Sequence, residues 1–588
     1  MPRPDSATAT SSGPGRWPRR SVLQLVTALG AGAVFGRALV SCASGKTAVT
    51  ASMIREAEWI SGLSLTPGER ELMLDGVNEL LEDFAKVRAV PLDNAVPPAL
   101  QFQPLSSAPG EPARAPRMID LGVVEEPAPR GSDDELAFAS VMRLAALIRS
   151  RQLSSAELTR LYLDRLKRHG PQLECVISLT EELALEQAAR ADQALARGEY
   201  LGPLHGIPWG AKDLLAVSGY RTTWGAKPYE DQVLSETSTV AARLEDSGGV
   251  LLAKLTLGAL AWGDVWYGGR TRNPWDSEQG SSGSSAGSAA ATAAGLVGFA
   301  IGSETWGSIV SPATRCGVSG LRPTFGRVSR HGAMALAWSM DKLGPLARSV
   351  DDCALVFAAI HGADGLDPTA IDRDFRWPDP RDPRSLRVGY VRALFEEDRT
   401  ANLEDEDVRR RAAQWQDNDR RTLDVLREIG FDLVPIRLPE EPPVAPLSFI
   451  LTAEAATAFD GLTRGGRDDL LVRQIEQAWP NVFRQGQLIP AVEYIRANRI
   501  RTLLGRRMEQ VMADVDLYVC PSYGGDNLLL TNLTGHPCVV LPNGFADGTP
   551  TSITFNGRLY GETEILAVAR AYQQATDHHL RRPPSFSA

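Results

Sequence analysis

Apolar residues follow two alternating patterns along this chain after about Asp133. Short apolar runs are typical of buried strands, and apolar residues at every third or fourth position are typical of amphipathic helices. Their alternation predicts an α/β fold with a large, mainly parallel or mixed central β-sheet and helices on both faces. Strands are predicted at 249–252, 296–301, 386–390, 516–519 and 538–541, and helices at 137–149, 155–168, 181–197 and 410–429.

The chain before Asp133 shows a different pattern. From 49 to 90, apolar residues recur at helical spacing around Thr66-Pro67-Gly68, so two helices with a break at these three residues are expected. Nine prolines between Pro91 and Pro129 exclude regular structure there and predict an extended tether, or a strap over another surface.

The first 42 residues have the pattern of a targeting segment. A paired arginine, Arg19-Arg20, precedes a moderately apolar stretch at 22–40, and this arrangement resembles a twin-arginine export signal. Glycines and Arg37 dilute the stretch, which disfavours a permanent transmembrane helix. Leu39-Val-Ser-Cys42 resembles a lipobox, the alternative being a plain cleaved signal with an incidental cysteine. We expect an exported protein of the cell envelope or periplasm, anchored to the membrane through lipidated Cys42.

Composition narrows the function classes. The 588 residues carry a net charge of -10 with 43% apolar residues, which indicates a globular chain and disfavours a nucleic-acid partner. The seven histidines form no HExxH motif, and the cysteines form no CxxC pair, so neither a metal site nor a disulfide framework is expected. The usual glycine-rich nucleotide motifs are absent from the sequence, and we expect no cofactor.

One serine motif invites a mistaken assignment. Gly283-Ser-Ser-Ala-Gly287 matches GxSxG, the nucleophile elbow of α/β-hydrolases, and would make Ser285 the nucleophile. An elbow follows a strand of the central sheet, whereas the preceding residues 271–279 are polar and contain Pro274. We therefore disfavour this assignment.

A set of longer motifs is more specific. In order and spacing they resemble the amidase signature family over about residues 135–580, which implies that family's α/β fold after a small helical extension. The motifs are Gly206-Ile-Pro-Trp-Gly-Ala-Lys-Asp213, Gly283-Ser-Ser-Ala-Gly-Ser288, Gly302-Ser-Glu-Thr-Trp-Gly-Ser-Ile309, Gly317-Val-Ser-Gly-Leu-Arg-Pro-Thr324, Gly326-Arg-Val-Ser329 and Thr534-Gly-His-Pro-Cys-Val-Val-Leu-Pro542.

The resemblance implies a catalytic set of Lys212, Ser284 and Ser308. Ser308 would be the nucleophile, Ser284 would follow a cis peptide bond, and both would exchange protons with Lys212. Lysine can act as a base only when it is neutral, which requires burial, and the apolar approach Ile207–Ala211 suits that requirement. The resemblance also implies that the turn 280–288, despite its linker-like Gly and Ser composition, is ordered and buried.

Around the nucleophile, the chain departs from the commonest family pattern. Backbone N–H groups of Thr305, Trp306, Gly307 and Ser308 are expected to form the oxyanion hole. Trp306 stands where a glycine is usual, and Val310 where an arginine is usual. Trp306 is a candidate pocket residue, the alternative being an indole packed away from the cleft. Trp338 and Asp341 are further pocket candidates that could equally be structural. Asp213 is open between a buried support and an exposed strand end, and Ser285 and Cys316 are read as structural.

The sequence thus predicts an amidase that cleaves a small carboxamide substrate through a serine acyl-enzyme, with ester cleavage as a side activity. Residues 54–90 resemble the small subunit of tRNA-dependent amidotransferases, so one alternative is a glutamine-hydrolysing amidotransferase of the A-type. The weaker alternative is a non-catalytic binding protein on the same scaffold. Substrate identity and oligomeric state are not readable, although loops at 361–490 are expected to shape specificity. The predicted parts are the export signal (1–41), helical extension (42–90), proline-rich strap (91–132) and catalytic domain (133–588).

Overall fold

The computed structural model describes residues 48–100 and 129–587. The predicted export signal at 1–41, Cys42 and most of the proline-rich segment lie outside the described residues. Within the described ranges, no helix has both the length and the apolar character needed to cross a membrane.

A mixed sheet of eleven strands forms the centre of the molecule, in the order β1-β3-β2-β8-β10-β9-β14-β15-β13-β11-β12. Strand β2 lies parallel to β3 and β8, and β11 lies parallel to β12 and β13, while the other neighbours are antiparallel. The remaining four strands form two hairpins. The strands are β1 (Val176–Leu179), β2 (Pro208–Lys212), β3 (Val250–Leu255), β4 (Val265–Trp266), β5 (Gly269–Arg270), β6 (Arg272–Asn273), β7 (Asp276–Gly280), β8 (Phe299–Glu304), β9 (Ser319–Arg322), β10 (Lys342–Ala347), β11 (Val388–Val391), β12 (Leu433–Ile436), β13 (Leu517–Pro521), β14 (Cys538–Ala546) and β15 (Thr549–Gly557).

Helices flank this sheet, which confirms the predicted α/β class. Their ends carry the expected polar caps: Ser154 accepts from the N–H of Glu157 in a capping box, and Gly430 ends another helix in the left-handed region. The α-helices are α1 (Ala51–Ser61), α2 (Pro67–Ala89), α3 (Asp133–Ala137), α4 (Val141–Arg149), α5 (Ser155–Leu173), α6 (Glu181–Ala196), α7 (Thr239–Asp246), α8 (Ala286–Ala293), α9 (Val310–Cys316), α10 (Val350–Ile360), α11 (Arg392–Glu396), α12 (Glu406–Ile429), α13 (Phe449–Ala458), α14 (Asp460–Arg464), α15 (Trp479–Gly486), α16 (Ala491–Met512), α17 (Asn527–Thr534) and α18 (Glu562–Gln574).

Two local predictions are wrong in detail. The break between the first two helices falls at 62–66, because Thr66 is the N-cap of α2 and Pro67 occupies its first turn, where a missing N–H costs nothing. Strand β8 begins at Phe299 rather than Leu296, because Ala294–Gly298 complete the turn that follows α8.

The first two helices pack directly on the rest of the chain. The Phe84 ring lies edge-on to that of Phe449, with centroids 5.2 Å apart. The side-chain amide of Asn481 donates to the carbonyl of Leu72 at 2.9 Å. Beyond α2, residues 93–99 run along α16 and exchange hydrogen bonds with Asn498, Arg499 and Thr502. The described part of the proline-rich segment is therefore a strap on this surface.

The sheet brings three segments to one edge. Strands β2 and β8 are parallel neighbours, so their carboxyl ends, Lys212 and Glu304, lie at the same edge. The turn before α8 and the turn before α9 lie beside these ends. A backbone hydrogen bond of 3.1 Å from the N–H of Ser285 to the carbonyl of Ser308 joins the two turns.

Candidate active site

Lys212 is fully buried at the end of β2, among oxygen atoms. Its Nζ lies 2.9 Å from the Oγ of Ser284 and 3.1 Å from the Oγ of Ser285. It also lies 2.8 Å from the Oγ of Ser303 and 3.4 Å from the carbonyl oxygen of that residue. Burial lowers the pKa of Lys212 well below its ordinary value, against the opposing charges of Asp341 and Glu304. The geometry thus favours a neutral amine in contact with a serine hydroxyl.

The serine-rich turn at 280–288 is largely buried, as predicted, with only Ser282 and Gly283 half-buried. The Gly283–Ser284 peptide bond is cis. A side chain at Gly283 would collide with the backbone of Gly263, because an added Cβ would lie 1.9 Å from that carbonyl oxygen. Linker-like composition here reflects tight packing, since only glycine fits between the two segments.

The structure also explains why Ser285 does not form a nucleophile elbow. Contrary to the sequence-based expectation, a strand does precede it: β7 ends at Gly280, although it pairs only with β6 and lies outside the central sheet. The hydroxyl of Ser285 is fully buried, and it donates to the carbonyl of Ser303 and accepts from the N–H of the same residue, both at 3.1 Å. It therefore connects α8 to β8.

Ser308 lies half-buried in an open turn between β8 and α9. Gly307 has a φ of 84°, in the left-handed region that favours glycine. Within the described part of the chain, the N–H groups of Trp306, Gly307 and Ser308 have no hydrogen-bond acceptor. Such free donors beside a serine hydroxyl suit an oxyanion, as the sequence analysis anticipated for this segment.

A buried ion pair that the sequence analysis missed supports this turn. The Oε2 atom of Glu304 accepts from the N–H groups of Ile309 and Val310, at 2.8 and 2.9 Å. The Oε1 atom accepts from the Arg322 guanidinium at 2.7 Å and from the Asn532 amide at 2.8 Å. Burial alone would raise the pKa of Glu304, but these donors hold it at about 2. A glutamate directly after an apolar strand was the available signal for this support.

The three pocket candidates have different environments. The Trp306 indole packs against an apolar cluster that includes Phe84 and Phe449, and its buried Nε1 has no partner in the described residues. Trp338 is 48% exposed. Asp341 accepts from the hydroxyl of Thr305 through one oxygen and from two backbone N–H groups, at 336 and 337, through the other. Asp341 is therefore a support of the turn rather than a pocket wall, because both of its oxygens are occupied.

Two open assignments are resolved. Asp213 is a buried support, since it pairs with Lys254 at 2.8 Å and accepts from the backbone and hydroxyl of Thr223. Cys316 is a packed thiol at the end of α9, and the other four cysteines in the described residues are also buried and unpaired.

Comparison with known proteins identifies this arrangement. The family model described as Amidase matches residues 157–566. Among relatives, the A subunit of the glutamyl-tRNA(Gln) amidotransferase from Moorella thermoacetica is 34% identical over 496 residues, covering 76% of this chain and 99% of the relative. The protein of the same name from Chloroflexus aggregans is 36% identical over 493 residues, with the same coverage of 76% and 99%.

Solved structures agree. The native peptide amidase from Stenotrophomonas maltophilia superposes with a TM-score of 0.66 at 29% identity, covering 77% of this chain and all of that one. A bacterial aryl acylamidase superposes with the same TM-score at 21% identity, over 77% of this chain and 98% of that one, and this match shows the fold alone. The fold and site are those of an amidase-type C–N hydrolase. The chain belongs to the amidase signature family.

Proposed function

We propose that this protein hydrolyses a carboxamide through an acyl-enzyme on Ser308. The observation that carries the proposal is the contact of 2.9 Å between the buried Nζ of Lys212 and the Oγ of Ser284, in a turn bonded to Ser308. A neutral amine next to a hydroxyl can accept a proton, which a serine nucleophile requires of its base.

The proposed chemistry balances as follows. The Oγ of Ser308 attacks the carbonyl carbon, its proton passes to Ser284, and the proton of Ser284 passes to Lys212. When the C–N bond breaks, the relay returns a proton to the leaving nitrogen, because an amine anion is a poor leaving group. Water then attacks the ester on Ser308 through the same relay and releases the acid. Ester substrates would be cleaved by the same steps.

The free N–H groups beside Ser308 would stabilise the oxyanion of each tetrahedral intermediate. Two donors of this kind typically contribute a factor of about 10² to 10³ each to the rate. The pair formed by Glu304 and Arg322 would keep the donors in place, because it binds the next two N–H groups along the chain.

Covalent labelling with a fluorophosphonate probe tests the assignment of the nucleophile. We expect the wild-type protein and a Ser311→Ala control to be labelled, and Ser308→Ala to be unlabelled. Ser311 is a suitable control because it is also half-buried and lies three positions further on. Equal labelling of Ser308→Ala and wild type would reject the mechanism. A panel of fatty-acyl, aryl and amino-acid amides and carbamates would then define the substrate class.

A second candidate is glutamine hydrolysis as an A-type amidotransferase component, the function named for the curated relatives. The Arg473 guanidinium favours a substrate with a carboxylate. It lies 4.5 Å over the Trp262 ring and beside Gly263, whose carbonyl contacts Gly283, and it makes no ion pair within the described residues.

Glutamine as substrate separates the two candidates. Release of glutamate and ammonia that exceeds turnover of uncharged amides, and that falls at least tenfold in Arg473→Met, would support the second candidate. Efficient turnover of uncharged amides with no response to glutamine would support the first. Arg427→Met, an exposed arginine on α12, is the control.

We also propose export and lipid anchoring through Cys42, supported by the paired arginine and the lipobox-like residues before it. Metabolic labelling with an alkyne fatty acid should mark the wild-type protein in the membrane fraction. Cys42→Ser should abolish the label. Retention of the label in this variant would reject Cys42 as the modified residue.

A further inference from the structure

A second cavity lies on the far side of the helices that follow the two serines. Its volume is about 550 Å³, within the range of small-molecule sites. Phe138 and Trp275 form aromatic walls, and the C-terminal residues 579–582 close one side. The Nε1 of Trp275 donates to the carbonyl of Cys316 at 2.8 Å, which fixes the orientation of its ring.

Arginines dominate the charge of this cavity. Four of them line it, against one carboxylate, Asp351. Arg570 pairs with Asp351 at 3.1 Å, and Arg582 pairs with Asp134 at 3.2 Å. Arg581 has no hydrogen bond or ion pair with any residue the structure describes, and its guanidinium lies 4.7 Å over the Phe545 ring. The fourth, Arg348, donates to the carbonyls of residues 139, 292 and 297.

Two buried nitrogens at the cavity have unused hydrogen-bonding capacity. The Nε of Arg348 and the Nδ1 of His579 have no partner within the described ranges. Burial lowers the pKa of His579 to about 4, so its ring is neutral and can donate from one nitrogen near neutral pH. Buried donors without acceptors are uncommon, because each costs about 1 to 3 kcal/mol when left unsatisfied.

The cavity is also connected to the candidate active site through two helices. Helix α8 starts directly after Ser285 and ends at Ala293, and helix α9 starts two residues after Ser308 and ends at Cys316. Both ends line the cavity. With about 1.5 Å of rise per residue, each helix spans roughly 10 to 12 Å between the serines and the cavity.

We propose that this cavity binds an organic carboxylate with an aromatic body. The free Arg581 guanidinium, with Arg570 beside it, would receive the carboxylate, because guanidinium groups match its two oxygens. The rings of Phe138 and Trp275 would contact the apolar part. The site is separate from the Ser308 turn, and the proposal does not depend on the reaction proposed above.

Calorimetric titration with benzoate tests the proposal, with benzyl alcohol as the uncharged analogue. We expect wild type to bind benzoate, benzyl alcohol to bind at least about tenfold more weakly, and Arg581→Gln to weaken benzoate to a similar degree. Arg581 is exposed, so this substitution should leave folding intact. The control Arg427→Gln, on α12, should bind benzoate as wild type does. Benzoate binding that is unchanged in Arg581→Gln would overturn the proposal.

A crystal soaked with 4-bromobenzoate locates the site directly. Anomalous scattering from bromine should show a peak between Phe138 and Trp275, with the carboxylate toward Arg581. A bromine peak only at the Ser308 turn, or no peak in this cavity at a concentration that saturates binding in solution, would also overturn the proposal. Soaking after covalent labelling of Ser308 removes competition from that turn.

Discussion

Lys212 has a chemical environment that a structural lysine rarely has. Its nitrogen is in contact with Ser284, Ser285 and Ser303, and no carboxylate pairs with it within the described residues. The buried Lys254 differs, because it pairs with Asp213 at 2.8 Å. Unpaired burial favours the neutral amine, whereas a paired lysine keeps its charge. This contrast separates a candidate base from a support within one sheet.

The lowered pKa of Lys212 predicts a pH dependence. We expect kcat/KM to rise with pH through one ionisation well below the ordinary pKa of lysine, because the neutral amine is the active form. Lys212→Arg should lose activity by about 10² to 10⁴, since arginine stays protonated. A pH–rate profile of each variant measures this. An unchanged profile in Lys212→Arg would contradict the role.

The same shift has a consequence for stability. The folded-state pKa of Lys212 is lower than the unfolded value of about 10.4, so the unfolded chain binds more protons between the two values. The contribution of this residue to the free energy of unfolding should therefore increase with pH over that window. Urea titrations of wild type and Lys212→Met should differ in their pH slope, with the shallower slope in the variant.

Glu304 predicts an effect on both stability and rate. Glu304→Gln leaves the buried Arg322 without its anion, which should lower the free energy of unfolding by about 3 to 5 kcal/mol. It should also lower kcat, because the turn at Ser308 loses its acceptor. Urea unfolding and kinetics at low temperature measure the two effects. The exposed Glu428→Gln is the control, and equal behaviour of both variants would remove Glu304 from the site.

At the scale of elements, local pattern predicted what local pattern determines. The runs at 516–519 and 538–541 are strands β13 and β14, and the helical pattern at 410–429 is most of α12. Strand order could not be predicted in this way, because β10 inserts between β8 and β9 through contacts distant in sequence. Polar β7 also escaped prediction, since it pairs only with its neighbour β6.

The site followed the same division. Lys212 and Ser284 could be proposed because each lies in a motif with a recognisable spacing, and the structure brings their side chains together. Glu304 and Asn532 could not, because buried charge pairing depends on which segments meet in three dimensions. Asp341 was misplaced as a pocket residue for the same reason: its partners at 305 and 336–337 are set by the sheet.

Helix α2 provides the prediction at this scale. Phe84 belongs to the same apolar cluster as Trp306, whereas Val77 packs in a separate cluster with Ile54 and Met73. Phe84→Ala should destabilise the protein by about 3 to 5 kcal/mol and lower kcat/KM several-fold where the variant is still folded. Val77→Ala should lower stability without changing kcat/KM. Equal kinetics in both variants would show that α2 does not influence Trp306.

For the whole molecule, the question is whether residues 48–100 unfold with the rest of the chain. Arg484, 3% exposed, pairs with Glu69 of α2 at 2.6 Å and with Asp468 at 2.8 Å, so a single buried guanidinium links the extension to the core. The surface pair of Arg464 with Asp460 also contacts the extension, through the carbonyl of Ser61. Buried pairs lose far more than exposed ones when one partner is removed.

We therefore expect Arg484→Met to lower the free energy of unfolding by about 3 kcal/mol, and Arg464→Met by less than about 1 kcal/mol. Hydrogen exchange should then become faster throughout 51–89 in Arg484→Met, because Glu69 and Asp468 would face each other without a cation. Protection in 51–89 that matches wild type in both variants would mean that apolar packing alone holds the extension. In that case, Phe84 and its neighbours, rather than the ion pairs, would couple it to the candidate active site.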